Sequence, residues 1–432
     1  MDIAAARALT VGGAVAIVGA AMFAPPARSA DLRAGPSSYR EVVANLRPGD
    51  TLTLEAGVYR FGLDLHGISG TPSAPVAIAG TRGKARSVFV AQRGRNTISI
   101  KDVGHLRISD LDLVGGNAAV DAVKAEGSSK FAHHVTIERL RITGYARSQQ
   151  NVGISTKCPT WDWTIRDNRI SLVGTGMYLG DSDGSAPFVR GVIEGNVITG
   201  ARGYALQVKH QNAWPERIAV IDAGETIIRY NTFAKDATSS SGKLARPNVL
   251  LGHWPLTGRG SGDRYLVYGN LFLDNPTEAL FQAEGNVTLY NNVFVNRFGD
   301  GVALREHHDV PRSVQLFHNT ILASGVGILL RHPDPTARQV VAGNAVFAGS
   351  VQLPDELLNA NAVHGYADAE AYLRDPAALD LAPGLPLLAG NGAAPDDRLP
   401  DAGLDFDRKR RRAATAGAYE PGAAAAAAPF RY

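Results

Sequence analysis

A single cysteine, Cys158, stands among 432 residues. No intrachain disulfide can form, and a buried thiol is the natural reading of it. An excess of one charge is missing too: 44 basic against 41 acidic residues leave a formal net charge of +3. No global field therefore asks for nucleic acid as a partner. Beyond the first thirty residues no apolar run is long enough to cross a bilayer.

What is present is a repeated phrase: apolar, any, any, Asn, any, apolar. It reads Ile165-Arg-Asp-Asn168-Arg-Ile170, Ile193-Glu-Gly-Asn196-Val-Ile198, Ile228-Arg-Tyr-Asn231-Thr-Phe233 and Val267-Tyr-Gly-Asn270-Leu-Phe272. It continues as Leu289-Tyr-Asn-Asn292-Val-Phe294, Leu316-Phe-His-Asn319-Thr-Ile321 and Val341-Ala-Gly-Asn344-Ala-Val346. Subtracting neighbours, the asparagines step by 28, 35, 39, 22, 27 and 25 residues, the period of a solenoid. The copies are β-branched and aromatic, with 47 glycines in the chain to serve tight turns. The pattern predicts an all-β fold, a single-stranded right-handed parallel β-helix with a short N-terminal capping helix. Stacked turns lie roughly 4.8 Å apart, so an inward Asn can bond the Asn above and below and satisfy buried turn backbone. These asparagines are read as structural. Asp110 and Arg139 are expected to take the same slot in two earlier turns, each step being 29 residues.

The expected organisation is a signal peptide over 1–30, an N-terminal cap and first turn over 31–60, and the β-helix over 61–350. A closing segment over 351–422 and a low-complexity tail over 423–432 follow. The leader reads as Arg7, an apolar run from Ala8 to Ala24, then Pro25-Pro26-Ala27-Arg28-Ser29-Ala30. That resembles a bacterial secretory signal cleaved near Ser29 or Ala30, with an uncleaved anchor as the alternative. The mature protein is expected to be a periplasmic or secreted monomer without membrane contact. The segment Tyr39-Arg-Glu-Val-Val-Ala-Asn45 is expected to form the helix covering the open end of the solenoid. The basic run from Arg408 to Arg412 is read as a solvated turn rather than a polyanion site.

The phrase Leu46-Arg-Pro-Gly-Asp-Thr-Leu-Thr-Leu with Gly57-Val-Tyr59 resembles the first turn of secreted β-helix polysaccharide enzymes, above all the alginate lyase and chondroitinase B family. Asp405-Phe406-Asp407 with Gly417-Ala-Tyr419-Glu420 resembles the closing segment of bacterial β-helix repeat proteins. The stretches Thr156-Lys-Cys-Pro-Thr-Trp161-Asp-Trp163 and Asn275-Pro-Thr-Glu278-Ala-Leu-Phe-Gln-Ala-Glu284-Gly-Asn286 are similar to a bacterial subgroup of that fold. The resemblance implies action on a polysaccharide. It also implies a catalytic Lys within Lys-Ser and an Arg within Arg-His-Gly. Here the counterparts read Val208-Lys209-His210-Gln211 and Leu304-Arg305-Glu306-His307-His308, so neither motif is intact. The paired-Asp and Gly-His-Gly signatures of galacturonan hydrolases are missing.

Aligning the apolar strand that follows each Asn gathers a polar strip along one edge. It contains Lys157, Asp181, Asp183, Lys209, His210, His253, Trp254, Glu284, Arg305, His307 and His308. Long insertions at 212–224, 235–247 and 254–263 fall on the same turns and can wall a groove. Trp254, Trp214 and Tyr178 suit the faces of sugar rings. The expected partner is an anionic polysaccharide, cleaved by β-elimination at the carbon next to a uronate carboxylate. That chemistry needs the carboxylate neutralised and a base of lowered pKa. Lys209 is the candidate base and Arg305 the neutraliser or acid, with His253 or His307 assisting. Lys157, Tyr178, His210, Trp254, Glu284 and His308 are the candidate substrate contacts. Gly180-Asp181-Ser-Asp183-Gly184 resembles a short Ca²⁺ loop, making Ca²⁺ the candidate cofactor, with an ordinary turn as the other reading. The His spacings are too sparse for a zinc motif. A β-helix glycoside hydrolase and a noncatalytic glycan-binding protein are the alternatives.

Overall fold

The computed structural model describes residues 29–218, 224–384, 398–411 and 415–420. The expected leader run and the low-complexity tail lie outside the described residues, as does Arg412.

Each Asn phrase folds as two short strands meeting at the asparagine. Thr164–Arg166 leads into Asn168 and Arg169–Val173 follows it; Thr175–Leu179 then completes the coil. Corresponding strands of successive coils pair in parallel register, as in Ile165↔Ile193, Ile170↔Ile198 and Met177↔Leu206. The result is three parallel ladders enclosing one apolar core. The second and third merge where Thr320–Leu330 runs through both as a single strand. The chain is a right-handed parallel β-helix. Its strands run from Asp31–Ala34 to Ala362–Gly365, past both expected limits of the coil. Alternation decides the core: Ile165, Ile193, Ile228, Val267, Leu289 and Leu316 all point inward and are buried. Phe233, Phe272 and Phe294 stack through it at centroid distances of 5.3 and 4.4 Å.

The asparagines form one continuous ladder. The amide Nδ2 of each donates to Oδ1 of the next, from Asn168 through Asn196, Asn231, Asn270, Asn292 and Asn319 to Asn344, at 2.9–3.0 Å. Each Oδ1 also accepts the backbone N–H of the asparagine before it. An eighth member, Asn361, ends the row at 2.7 Å from Asn344. All eight are buried, and the ladder supplies partners the turn backbone would otherwise lack.

Asp110 and Arg139 are not in this row. Glu138 faces Arg166 in the register, so Leu140 faces Asn168, and its N–H donates to Asn168 Oδ1 at 2.9 Å. Leu111 and Leu140 fill the inward slot in these turns, with no polar group to satisfy. Asp110 and Arg139 sit one residue earlier, where φ is 61° and 54°. Asp167, Tyr230, Asn291 and His318 hold the same left-handed position, with φ of 53–57°. This position projects side chains outward, and Arg139 clasps Asp110 with Nε and Nη2 at 2.9 and 2.8 Å.

Both ends are closed. The helix Tyr39–Ala44 seats Tyr39 and Val43 on the core, and the Tyr39 ring meets Tyr59 edge-on at 5.0 Å. At the other end the chain turns back along the flank of the coil. The N–H of Gly417 donates to Gly343 O, that of Ala418 to Thr320 Oγ1, and Arg411 Nη2 to Asn291 Oδ1 at 2.7 Å. Arg411 is therefore buried and departs from the solvated-turn reading, whereas Arg408, Lys409 and Arg410 are exposed, with the Arg408 guanidinium 3.9 Å over the Tyr230 ring.

Replacing an interior rung of the ladder strips partners from both neighbours. Asn231→Ala leaves Asn196 Nδ2, the Asn196 N–H, the Ile193 carbonyl and Asn270 Oδ1 each short of a bond. Unsatisfied buried groups cost about 1–3 kcal/mol each before relaxation. The expected loss is about 3 kcal/mol in denaturant unfolding, larger than for Asn361→Ala at the end of the row.

Candidate functional site

The third ladder builds the site by alternation. Val123, Ile154, Met177, Leu206, Val249, Phe281 and Val302 form its inward row, and Lys124, Ser155, Tyr178, Gln207, Leu250 and Gln282 its outward one. Two residues further on, Lys157, Lys209 and Arg305 leave the strand ends toward the same side. Together with the insertion around Ala245–Pro247 they line an open cleft of about 670 Å³. Lys157, Asp181, Lys209, Arg305 and His307 of the predicted strip meet there, with the candidate contact Tyr178.

Most charges in the cleft are matched. Lys157 Nζ lies 3.6 Å from Asp181 Oδ1 and 3.7 Å over the Tyr178 ring. Arg305 Nη2 lies 3.7 Å from Glu278 Oε1, and Lys124 Nζ 3.6 Å from Asp121 Oδ2. Arg246, carried on the wall, donates to the carbonyls of Lys243 and Ala245 and leans toward the Tyr204 ring at 5.8 Å. Buried Lys235 braces that wall by donating to Arg246 O at 2.7 Å.

Lys209 differs. Its residue is 8% exposed, and among the described residues its ammonium has neither a hydrogen bond nor an ion pair. Burial lowers its pKa below the ordinary lysine value, against the opposing fields of Glu284 and Asp181. Burial raises the Tyr178 phenol, so it keeps its proton across the neutral range.

The strip divides in two. His210, His253 and His308 line a smaller side pocket with Asn212, Leu256 and Thr257. The His210 ring lies 3.9 Å from His308 and 5.3 Å from His253. Burial, then the neighbouring cations, push His210 down to about 4, so it is neutral at physiological pH. His253 Nδ1 donates to Trp254 O at 2.7 Å, and His253 lines the side pocket rather than the main cleft with Lys209.

Three expectations change. Trp254 is 2% exposed, packed on Tyr265 at 4.5 Å and near buried Trp214, so neither indole offers a sugar-binding face. Glu284 breaks the alternation at Gly285 (φ 70°) and turns fully inward. Its Oε1 accepts the N–H of His253, and its Oε2 those of His307, His308 and Asp309. It is an anchor for two loops rather than a substrate contact. Asp183 Oδ1 accepts from Ser185 N and Oγ at 2.9 and 2.6 Å, and Asp181 Oδ1 from Ser182 N at 2.7 Å. These are the bonds of an ordinary turn, and the donor set does not fit a Ca²⁺ loop. The sequence reading missed Lys124, Tyr204, Arg246, Glu278 and the glutamines Gln207 and Gln282. Arg246 and its loop were signalled only by the length of the 235–247 insertion.

No protein-family model matches the chain, and no curated protein sequence does. Among solved structures, the PL6 family polysaccharide lyase from Pseudopedobacter saltans aligns at a TM-score of 0.51 and 10% identity, over 80% of this chain and 94% of that one. The chain shares the fold of a β-helix polysaccharide lyase. An alginate lyase from Paenibacillus sp. str. FPU-7 aligns at a TM-score of 0.48 and 16% identity, over 75% of this chain and 99% of that one. A pectate lyase, Pel9A, aligns at 0.46 and 12%, over 91% and 97%. At these identities the likeness is one of fold.

The anchoring role of Glu284 is testable apart from any activity. In Glu284→Gln an NH₂ group must face backbone donors that now meet carboxylate oxygens. The expected cost is about 3 kcal/mol in denaturant unfolding, with faster proteolysis around 305–310. An unchanged unfolding midpoint contradicts the anchor.

Proposed function

We propose that this protein is an exported lyase that cleaves an anionic, uronate-containing polysaccharide by β-elimination. The observation that carries the reading is Lys209: a desolvated, unpaired amine on the floor of an open cleft where Lys124, Lys157 and Arg305 hold carboxylate partners and Arg246 donates to backbone carbonyls. A carboxylate-bearing chain can exchange for those internal partners, which a neutral chain has less reason to do. Export is suggested by the apolar leader run from Ala8 to Ala24.

In this reading Lys209 removes the proton at C5 of the sugar. The electron pair left behind forms the C4–C5 double bond as the C4–O4 bond breaks, and O4 takes up a proton. Carbanion character at C5 is tolerable only with the carboxylate neutralised. Register decides which cation serves. Lys209 follows Val208, Glu284 follows Ala283 and Arg305 follows Leu304, so Arg305 stands three rungs from Lys209, roughly 14 Å along the axis. Arg305 is thus suited to a carboxylate further along the chain. Arg246 overhangs Tyr204, on the rung of Lys209 itself, and is the better-placed neutraliser. Tyr178, one rung away on the outward row, is a protonated donor for the leaving O4. His307 lines the same cleft and is held below its usual pKa chiefly by burial, hence neutral.

Incubation with a panel of uronate polymers, with and without Ca²⁺, is expected to raise ultraviolet absorbance near about 235 nm on at least one polymer, as the unsaturated uronate forms. Lys209→Ala should lower kcat by at least about 10³-fold, and Lys209→Arg should not rescue it. New reducing ends without absorbance make the protein a hydrolase, and no new ends make it a glycan-binding protein.

The pH dependence has a definite sign. Only the neutral amine can act as base, and burial lowers the Lys209 pKa from 10.5. Turnover should rise with pH and level off below 10.5, where an unperturbed lysine would still be gaining free base. A rate still climbing through that value contradicts Lys209 as the base.

A further inference from the structure

We propose that His105, His133 and His134 form a binding site for a divalent transition-metal ion of the zinc class. The three lie outside the cleft, toward the N-terminal end of the coil. One ring nitrogen from each lies within 4.8 Å of the others, the one such group of three among the described residues. His133 Nδ1 and His134 Nδ1 are 2.9 Å apart, and the His105 ring lies 4.4 Å from His134 and 5.4 Å from His133. Two nitrogens on one tetrahedral zinc, each bonded at about 2.0–2.1 Å, sit roughly 3.3 Å apart. A small outward shift of the rings is enough to admit the ion.

The surroundings repeat what metal-binding imidazoles have. A ligating histidine turns its second nitrogen to a carboxylate, which fixes its tautomer and orientation. His134 Nε2 lies 3.6 Å from Asp162 Oδ2 while its Nδ1 faces His133. Asp162 is itself held by Arg190, through Nε and Nη2 at 2.9 and 3.0 Å. The His133 ring packs in one cluster with Trp161, stacked at 4.8 Å, and Phe131 at 5.4 Å. It passes over Gly104, where a Cβ would come within 2.5 Å of Cε1. Glycine there is what lets the ring lie flat against the coil.

The backbone sets the row. His133 pairs with Gly104 and Trp161, and Trp161 with Val189, so His105, His134, Asp162 and Arg190 occupy one position on successive rungs. All four have left-handed φ, at 51°, 51°, 56° and 51°. Such a backbone is uncommon outside glycine, though His and Asp accept it more readily than most. It aims the side chains outward, side by side. Three imidazoles without thiolate suit zinc, copper or nickel, and not calcium or magnesium, which take oxygen ligands. A plain Nδ1–H···Nδ1 hydrogen bond between His133 and His134 is the competing account of their contact.

Tag-free protein titrated with Zn²⁺ alone in a calorimeter should bind one equivalent. His105→Asn and His134→Asn, chosen because Asn tolerates the left-handed backbone, should each weaken binding by at least about tenfold, and Asp162→Asn by about tenfold. X-ray absorption on the wild-type complex should show about three nitrogen neighbours at about 2.0–2.1 Å, with imidazole scattering. Absence of saturable binding overturns the site. So does an affinity unchanged in the His105→Asn/His134→Asn double variant, or an oxygen-only shell around the bound ion. The absorption measurement needs no variant to fold, and none of its outcomes depends on lyase activity.

Discussion

The rest of the structure depends on register between coils. Each coil must present the same class of group at the same place as its neighbours, because backbone and side chains are shared one rung to the next. The asparagine ladder is the strictest expression of this. Its amides are both donor and acceptor, so every member is fully bonded only when the neighbour above and the neighbour below are in step. A slip of one residue anywhere along the ladder would leave buried amides unpaired and turn the strand's apolar row outward.

Register also makes the cleft. Parallel stacking converts residues scattered over 305 − 124 = 181 positions, from Lys124 to Arg305, into adjacent points on one face. Where the rungs end, insertions are free to rise as walls, and Arg246 reaches the cleft that way. Burial then sets the chemistry. Burial lowers the pKa of both Lys157 and Lys209, but Lys157 keeps Asp181 beside its ammonium, whereas Lys209 has no ion-pair partner among the described residues. Glu284 shows the opposite outcome. A carboxylate at the equivalent strand end is drawn inward by four backbone donors and is removed from the solvent-facing surface.

The repeat was legible because it recurs at the same offset from the same apolar residues, so seven Asn phrases identify the coil without any alignment. The slip over Asp110 and Arg139 arose because those turns carry Leu in the slot, leaving no polar marker to count from. Trp254 and Glu284 were legible as members of an edge but not in direction. Once a strand ends, the alternation that tells inside from outside ends too, and hydrogen bonds to backbone decide the orientation. The histidine trio was invisible for a related reason. His105 and His134 are separated by 134 − 105 = 29 residues, one coil's length, which is no metal motif until the coil is built. The C-terminal flank was recognisable as a closing segment, but not as a strap laid on Asn291, His318 and Gly343.

The likeness to solved polysaccharide lyases is one of fold, so the proposed activity rests on the cleft itself: one unpaired amine, a surplus of cations, and a phenol that keeps its proton. The most direct test of that account is mass spectrometry of the oligosaccharides released from a uronate polymer. Elimination through Lys209 predicts new non-reducing ends lighter by one water than hydrolysis would leave, absent from a Lys209→Ala digest. Ends that carry the added water, or light ends that persist without Lys209, would contradict it.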